Sequence, residues 1–493
     1  MKINKTIYGS LLGLVILISA CSKNFEDINT SPDQVEEPTL DFLLPKIQLT
    51  LSDNAYYTNV TIIGQLMYQV SNHGTNFSTL TIGSNKEYHF EYQYATAIKS
   101  LVNFIDKTKE SEELINYNSI GRILKAYAFH SITDLYGDIP YFNAGKGYID
   151  RTFQPEYDDQ KLVYEDMLNE LKDAAEKFNP AQRLPGNTDL IYGGSIEKWQ
   201  KMAYSLMLRL ALRINKADPE NSAKWISTAI NGGLFESNAD NFTVFYKPNT
   251  YYATISNGQP TPFIYYTSWK LAAPFVDYLK NNNDPRIYIY SALPKTGAVD
   301  GDNTASNQFG LPPFVPANEI PKPIEQYSVS PPSTFGKYDA PFIHQSYSEV
   351  QLMLAEIAIR ELVPEVSKAD AGSYYETGVK AAMEQLTIYG GNYVITDAEV
   401  NKYLMDNTLN TANVELALEQ INTQYWLETH YNFYETYSNW RRTGYPKFDE
   451  AEFVIPRRMT YPAKETNINS ENVQKAISRQ GADLITTRVW WDK

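Results

Sequence analysis

The chain has 493 residues, of which 43 are basic and 58 acidic, so its formal net charge is −15 at neutral pH. No run of basic residues occurs, which excludes nucleic acid as a favoured partner, because phosphate binding needs clustered Lys and Arg. Cys21 is the single cysteine, which excludes an intramolecular disulfide, so the fold must rely on its apolar core.

Residues 1–20 predict an export signal rather than folded structure. Two lysines are followed by an apolar stretch at 11–18 and by small residues. The apolar stretch is shorter than the roughly 20 residues that a membrane-spanning helix needs. The motif Ile18-Ser19-Ala20-Cys21 resembles a bacterial lipobox, so we expect acylation of Cys21. The alternative is an ordinary signal cut before a chance cysteine.

Residues 21–38 are polar, which predicts a flexible tether between the lipid and the body. Each buried methylene of an acyl chain contributes about 0.8 kcal/mol, so two or more chains on Cys21 would hold the protein on the membrane. No second apolar run of membrane length follows. We therefore expect contact with the membrane through the lipid anchor only.

Apolar residues at helical spacing predict most of the body. Ser195 is a plausible N-cap, and Ser346 with Glu349 forms a capping-box motif. Several of these helices are neighbours joined by short turns, which indicates stacked helical hairpins, although a clean repeat of about 34 residues is missing. The predicted helices cover 119–133, 157–178, 195–215, 224–230, 346–362, 374–386 and 413–436.

The expected fold class is mainly α: a tetratricopeptide-like scaffold of helical hairpins, forming an α-α superhelix, with long irregular loops and few short strands. Residues 39–493 would form a single helical domain with a loop-rich insertion at about 238–340. This insertion and a second irregular zone at 71–94 are the expected ligand-binding regions, because long loops on a rigid scaffold usually carry function.

The candidate ligand contacts are aromatic and amide side chains of these two zones. Aromatic rings stack on the apolar faces of sugars, while Asn and His bind hydroxyl groups, and a mixed pocket of this kind is usual for small ligands. Neighbours in an extended pair such as Tyr251-Tyr252 point to opposite sides, so at most one ring of each pair would face a ligand. Taken singly, each candidate could instead pack in the core or remain exposed. The candidates are Asn72, His73, Tyr88, Tyr251, Tyr252, Tyr265, Tyr266 and Trp269.

No recognisable catalytic or metal-binding motif is present. The chain lacks a G-x-S-x-G elbow, an H-E-x-x-H motif and a phosphate-binding glycine loop, and it has only five His. His130 falls in a predicted helix, where a structural role is expected. Asp300-Gly301-Asp302-Asn303 resembles the start of a calcium loop, but the closing Glu is absent, so an exposed turn is expected. We expect no catalytic residue, no cofactor and no metal site, with calcium left open as an alternative that no complete motif supports.

Several motifs along the mature chain are distinctive when taken together. Gly137 and Pro140 in the most distinctive of them would end a helix, and Asp138 would satisfy backbone donors in the turn. The motifs are Asp134-Leu-Tyr-Gly-Asp-Ile-Pro-Tyr141, Ser348-Glu-Val-Gln-Leu-Met-Leu-Ala-Glu356, Asn439-Trp-Arg-Arg-Thr-Gly-Tyr-Pro446, Arg457-Arg-Met-Thr-Tyr-Pro462 and Val489-Trp-Trp-Asp-Lys493. Together they resemble the SusD/RagB family.

The resemblance implies a surface-exposed, non-catalytic nutrient-binding lipoprotein of the Bacteroidetes outer membrane. Such proteins act as lids on SusC-like TonB-dependent β-barrel transporters and take up oligosaccharides or, in some members, peptides. Their binding loops vary, so no ligand-binding residue is carried over by motif. A glycan is favoured over a peptide here by the aromatic loops. Two alternatives stay open: a helical-repeat adaptor without a nutrient, and a surface hydrolase.

Overall fold

Segments with apolar residues at every third or fourth position form most of this protein. Its structure is a computed structural model that describes residues 39–51, 56–73, 84–247, 256–297, 299–448 and 454–493. The expected signal, the tether and Cys21 lie outside the described residues. The chain divides into two units, Met1–Leu43, of which 39–43 are described, and Leu44–Lys493.

The longer helices are joined by connections of very different length, some short and some long and irregular. Two short helices each continue into a π-helical stretch. The short helix Tyr56–Thr58 continues into Asn59–Gly64, and Tyr88–Gln93 continues into Tyr94–Ile98. In chain order the longer helices are α1 Leu40–Thr50, α2 Lys99–Thr108, α3 Ile115–Tyr136, α4 Gln160–Glu176, α5 Ile196–Arg213, α6 Pro219–Gly232, α7 Ala273–Asn281, α8 Tyr347–Arg360, α9 Ala371–Glu384, α10 Asp397–Asp406, α11 Val414–Glu428, α12 Phe433–Thr443 and α13 Ser470–Gln480.

Shorter elements fill the connections. The short helices are Thr261–Tyr265, Ile287–Tyr290 and Ala463–Ile468, with 3-10 turns at Ser84–Glu87, Glu112–Leu114, Gly186–Thr188, Asn238–Asp240, Ala305–Asn307, Ile324–Gln326, Lys368–Asp370 and Gln385–Tyr389. The strands are β1 Val70–Asn72, β2 Phe242–Val244, β3 Trp269–Leu271 and β4 Phe342–Gln345, and they pair antiparallel as β1 with β3 and β2 with β4.

Neighbouring helices pack as hairpins, α2 with α3, α4 with α5, α8 with α9, and α11 with α12. Helix α6 packs on α5, and α3 also packs on α4. The predicted scaffold of helical hairpins with few short strands is therefore confirmed. Most of the predicted helices have the expected position, and α4, α5, α6, α8 and α11 begin at a side chain that caps the first turn.

The hydrogen bonds at two helix N-termini test the predicted caps at Ser195 and Ser346. The Ser195 hydroxyl accepts a hydrogen bond from the Lys198 backbone N–H at 3.4 Å, which confirms this N-cap. The Ser346 hydroxyl accepts from the Glu349 N–H at 2.9 Å, but the Glu349 carboxylate binds Arg209 instead of reaching back. The prediction of a full capping box at this helix is therefore wrong.

Two predicted helix boundaries are also wrong. The segment predicted at 224–230 begins earlier, at Pro219, because Asp218 caps the helix and a proline fits its first turn. The segment predicted as one helix at 413–436 is broken into α11 and α12. Tyr431 adopts a positive φ of 71°, so the chain leaves the right-handed helix between them.

A buried network of ion pairs joins one helix from each hairpin. Arg209 of α5 donates two hydrogen bonds of 2.6 Å to Glu349 of α8. Arg213 of α5 donates to both carboxylate oxygens of Glu435 of α12 at 2.6 Å, and lies 3.7 Å from Asp134 of α3. Each of these five side chains is at most 4 % exposed. The network ties the four hairpins to one another.

A further buried carboxylate, Glu356, links α8 directly to α12. Glu356 accepts hydrogen bonds from both terminal nitrogens of Arg442, at 2.5 and 2.8 Å, and from Arg360 at 3.0 Å. Burial acts to raise the pKa of Glu356, but the charge and hydrogen bonds of Arg442 outweigh it and hold the pKa at about 2. The carboxylate therefore stays ionised in the core.

The motif around Gly137 ends helix α3, as expected. Gly137 has a φ of 82°, a conformation that favours glycine. Asp138 accepts a hydrogen bond from the backbone N–H of Gln160 at 2.9 Å and pairs with Arg479 at 2.6 Å. The predicted structural role of Asp138 in the turn is confirmed.

Replacing one member of a buried ion pair should lower the free energy of unfolding much more than replacing both members together. Arg209→Met leaves the Glu349 carboxylate buried without its partner, which should destabilise the fold by about 3–5 kcal/mol. Arg209→Met combined with Glu349→Leu should recover most of that loss. Thermal unfolding of the purified variants measures both changes.

The matched control for this cycle is an exposed pair. Lys402 and Asp406 approach to 2.6 Å with both side chains at least half exposed. Lys402→Met should leave the unfolding midpoint nearly unchanged, because exposed pairs contribute little. Equal losses from Arg209→Met and Lys402→Met would contradict the account of the core.

Candidate functional site

A cleft of about 520 Å³ is lined by three stretches of the loop-rich insertion, 263–270, 293–297 and 329–338. Its walls are mostly aromatic and aliphatic, with hydroxyl and ammonium groups among them. A cavity of this size and mixed character is typical of a site for a small molecule or a short oligomer.

Backbone pairing fixes the three stretches to one another. Strand β3 pairs with β1, so that Trp269 lies opposite Asn72. The Leu271 N–H donates to the Ser328 carbonyl at 2.8 Å, and Ala292 and Val329 exchange two backbone hydrogen bonds. The cleft is therefore built on paired backbone rather than on isolated loops.

A tight turn shapes the third wall. The Gly336 N–H donates to the Pro331 carbonyl at 2.8 Å. A Cβ atom at Gly336 would lie 2.6 Å from the Ser330 carbonyl oxygen, closer than packing allows. Glycine is therefore required for this turn, which brings Lys337 and Tyr338 to the cleft.

Three of the predicted contacts line the cleft together. Tyr265 and Tyr266 are 55 % and 49 % exposed, and Trp269 forms a more buried part of the wall. The expectation that only one ring of an adjacent pair can face a ligand concerns extended pairs, and it does not apply to Tyr265 and Tyr266. The pair ends the short helix Thr261–Tyr265 instead of forming an extended strand, so both rings border the same cleft.

The candidates of the earlier zone lie beside the cleft and do not line it. The Asn72 side-chain amide donates to the Ser268 hydroxyl at 3.3 Å, which joins β1 to the segment before β3. His73 follows β1 and is half-buried. Tyr88 stacks on Tyr92, with ring centroids 5.6 Å apart.

A row of tyrosines connects Tyr88 to the cleft. The ring centroids of Tyr88 and Tyr57 lie 5.0 Å apart, and those of Tyr57 and Tyr56 lie 4.5 Å apart. Burial, followed by hydrogen bonds with Tyr57 and Tyr266, raises the pKa of Tyr56 far above its ordinary value. Contacts from Tyr88 through Tyr57 and the buried Tyr56 therefore reach Tyr266 at the cleft. Tyr251 and Tyr252 lie outside the described residues.

Sequence reasoning missed the lysines of the cleft. Lys270, Lys295 and Lys337 all line it, with Lys295 exposed and Lys337 half-buried. Lys270 is only 2 % exposed, and burial lowers its pKa to about 8 against the opposing charge of Glu325. The one signal in the sequence is that Lys270 stands directly after Trp269 in a short apolar stretch. The periodicity of apolar residues alone does not distinguish this position from one on the surface.

The buried histidines belong to the core rather than to a catalytic site. His130 lies in α3 with Nδ1 2.6 Å from the Tyr127 carbonyl oxygen. The Tyr127 hydroxyl in turn lies 2.6 Å from Nδ1 of His344. Burial lowers the pKa of both imidazoles well below the ordinary value, so both are neutral at pH 7. The core void beside His130 and Arg209 measures only about 10 Å³, room for about one water molecule.

The acidic turn at 300–303 uses its carboxylates locally. Asp302 accepts hydrogen bonds from the Thr304 N–H at 2.8 Å and from the Asn307 amide at 2.6 Å, and these bonds lower its pKa. Asp300 accepts from the Ser333 N–H at 2.9 Å. Within the described ranges, no three His, Cys, Asp or Glu side chains are grouped as metal ligands.

One buried carboxylate has an unusual environment. Burial, followed by the nearby charge of Glu349, raises the pKa of Glu428 to about 7, although Ser346 and Gln385 donate hydrogen bonds to it. Its Oε2 atom is buried and accepts no hydrogen bond from the described part of the chain. The Glu428 carboxylate lines a core void of about 10 Å³ and does not line the open cleft.

Glu428→Gln should therefore stabilise the protein in a pH-dependent way. The pKa of the folded state is raised above the ordinary value of 4.5, so ionising Glu428 costs stability as pH rises from about 5 to about 8. The unfolding midpoint of Glu428→Gln minus that of the unmodified protein should rise over this range, by up to roughly 3 kcal/mol in free energy.

The control is Glu471→Gln, because that side chain is 85 % exposed. Its midpoint difference should stay flat with pH. A Glu428→Gln difference that is constant, or that falls as pH rises, would contradict the environment described for Glu428.

Comparisons with known proteins identify what this chain is similar to. The SusD-like family model, described as starch-binding associating with outer membrane, matches residues 32–462. A solved structure described as a chitin-binding protein is 29 % identical with a TM-score of 0.80, over 92 % of this chain and 100 % of that one. A search of curated proteins finds no significant match.

Two further structures show the same fold. A SusD-like protein from Bacteroidetes is 24 % identical with a TM-score of 0.82, over 92 % of this chain and 100 % of that one. A chitin-binding SusD homologue from Flavobacterium johnsoniae is 21 % identical with a TM-score of 0.74, over 92 % of this chain and 98 % of that one. No helix in the described ranges is both long and apolar enough to cross a membrane.

Proposed function

Because the chain belongs to the SusD-like family of starch-binding proteins that associate with the outer membrane, we propose that it is a nutrient-binding lipoprotein that captures oligosaccharides. The observation that carries the proposal is the cleft lined by Tyr265, Tyr266 and Trp269. Aromatic rings of this kind offer flat apolar faces for sugar rings, and neighbouring polar groups can bind hydroxyls. The 29 % identical chitin-binding protein supports a glycan rather than a peptide as ligand.

The protein binds its ligand without converting it. The described residues around the cleft are aromatic, aliphatic, hydroxyl and ammonium groups, with no carboxylate pair or His among them. General acid–base hydrolysis of a glycan needs two carboxyl groups about 5–10 Å apart. The cleft chemistry therefore supports capture, not cleavage.

Capture at a surface serves uptake when the ligand is passed on. Acylation of Cys21 would hold the protein at the outer membrane, exposed at the cell surface, and a SusC-like TonB-dependent β-barrel transporter would receive the ligand. This part of the proposal rests on the lipobox-like motif and on the family. Capture of peptides by the same lid is the alternative that the binding experiment separates.

Removing an aromatic face from the cleft should weaken glycan binding. Tyr266→Ala, and separately Tyr265→Ala, should lower the affinity for chitin oligosaccharides or for the best ligand of a glycan panel by about five- to thirtyfold. Isothermal titration of the mature protein in mild detergent measures this loss. The reducing ends released should stay at background.

Tyr148→Ala is the matched control, because this ring is 85 % exposed and does not line the cleft. It should bind glycans as the unmodified protein does. Unchanged affinity in the cleft variants would move the site elsewhere. Binding of peptides and of no glycan would replace the proposed ligand class, and release of reducing ends would replace binding by hydrolysis.

The lid role predicts a stable complex in the native membrane. Purification of the tagged, lipidated protein in mild detergent should bring along a large β-barrel receptor in stoichiometric amount, identified by mass spectrometry. Cys21→Ser should abolish membrane retention and the complex together. A protein that remains alone, also after cross-linking, would contradict the partnership with a transporter.

A further inference from the structure

The cleft carries a charge opposite to that of the protein as a whole. The chain has 15 more acidic than basic residues, yet the described lining of the cleft holds three lysines and no carboxylate. The lysines come from all three walls: Lys270 from the first, Lys295 from the second and Lys337 from the third. A positive, partly enclosed cavity in an acidic protein concentrates anions.

Lys270 is the member of this set that packing alone does not explain. It lies in strand β3, only 2 % exposed, between the buried Trp269 and Leu271. Its ammonium has no hydrogen bond or ion pair to any residue of the described ranges, and the nearby charge that acts on it is that of Glu325. This unpaired group borders the cleft.

Keeping an unpaired ammonium in this position is costly. A charge that is largely removed from water and has no partner destabilises a fold, whereas an apolar side chain of similar length would pack at no such cost. Arg209, Arg213 and Arg442 of the core each pair with a carboxylate, whereas Lys270 pairs with none in the described part of the chain. A negatively charged ligand group in the cleft would supply the partner that Lys270 lacks.

We propose that the ligand of this cleft is an acidic oligosaccharide, with a carboxylate or sulfate group bound by Lys270 and assisted by Lys295 and Lys337. This inference rests on the proposed function and deepens it. The sugar rings pack against Tyr265, Tyr266 and Trp269, and the lysines determine specificity for charge. The ligand thereby differs from chitin, whose sugars are uncharged.

A glycan fits this chemistry better than an acidic peptide does. The cleft sets the lysines beside three large aromatic rings, which match a sugar ring that bears an acidic substituent. The family and the chitin-binding structure point in the same direction. The acidic peptide is an outcome that the experiment separates.

The test compares matched ligands that differ only in charge. Isothermal titration of the mature protein in mild detergent uses galacturonic acid oligosaccharides against the same oligosaccharides with methyl-esterified carboxylates. Sulfated galactan oligosaccharides against their desulfated forms provide the second pair. Chitin oligosaccharides and a Glu-rich peptide complete the set. One of the two acidic ligands should bind at least about tenfold tighter than its neutral partner, because a hydrogen bond to a charged group is worth roughly tenfold or more.

Substitutions of the cleft lysines show which of them binds the acidic group of the ligand. Lys270→Met should weaken the acidic ligand about tenfold to hundredfold and leave the neutral partner unchanged. It should also raise the unfolding midpoint without ligand, because it removes an unpaired buried charge, so loss of binding is not loss of fold. Lys295→Gln and Lys337→Gln should each have a smaller effect of the same kind. Lys380→Gln, on the exposed face of α9, is the control.

The outcomes distinguish this inference from the proposed function. Equal binding of neutral and acidic partners, with Lys270→Met unchanged, would overturn the charge specificity and leave oligosaccharide capture standing. Binding of no glycan at all would overturn both. Binding of the Glu-rich peptide alone would replace the acidic sugar by an acidic peptide.

Discussion

Ion pairs at the centre of the helical scaffold fix how its hairpins pack against one another. Arg209 and Arg213 extend from one helix to carboxylates on three others, and each of the four hairpins supplies a helix to this network. Charges at this depth are costly unless fully paired. The hairpins therefore have one mutual arrangement in which Glu349, Glu435 and Asp134 all meet their arginines, and other arrangements leave a charge buried alone.

A scaffold fixed in this way allows the inserted loops to be irregular without being loose. Strand β3 is held by pairing with β1 at one edge and by backbone hydrogen bonds to the segment around Ser328 at the other. Trp269 and Lys270 are thereby positioned before any ligand arrives. A preorganised cleft loses less conformational freedom on binding than a mobile loop would. The buried ion pairs thus fix the arrangement of the scaffold helices, and the side chains of the cleft supply the groups that are available to a ligand.

Local chemistry in the sequence predicts the scaffold well and the site only in part. The apolar spacing of the helices and the Ser195 cap depend only on nearby residues, so the sequence alone predicts them. The break near Tyr431 and the use of Glu349 for Arg209 depend on partners far along the chain, so the predictions there are wrong. Tyr265, Tyr266 and Trp269 are predicted contacts because they are aromatic residues in an irregular zone, and the fold does bring them together. Their role in binding stays a prediction. The cleft lysines were missed because residues 263–270, 293–297 and 329–338 meet only through tertiary pairing.

The central claim is that the cleft between these three stretches is where the ligand binds. A crystal structure of the mature protein with an acidic oligosaccharide bound tests it most directly. The account predicts a sugar ring against Tyr266 or Trp269, with its carboxylate or sulfate within hydrogen-bonding distance of Lys270 Nζ. An ordered oligosaccharide on another surface, with the cleft filled only by water, would contradict it.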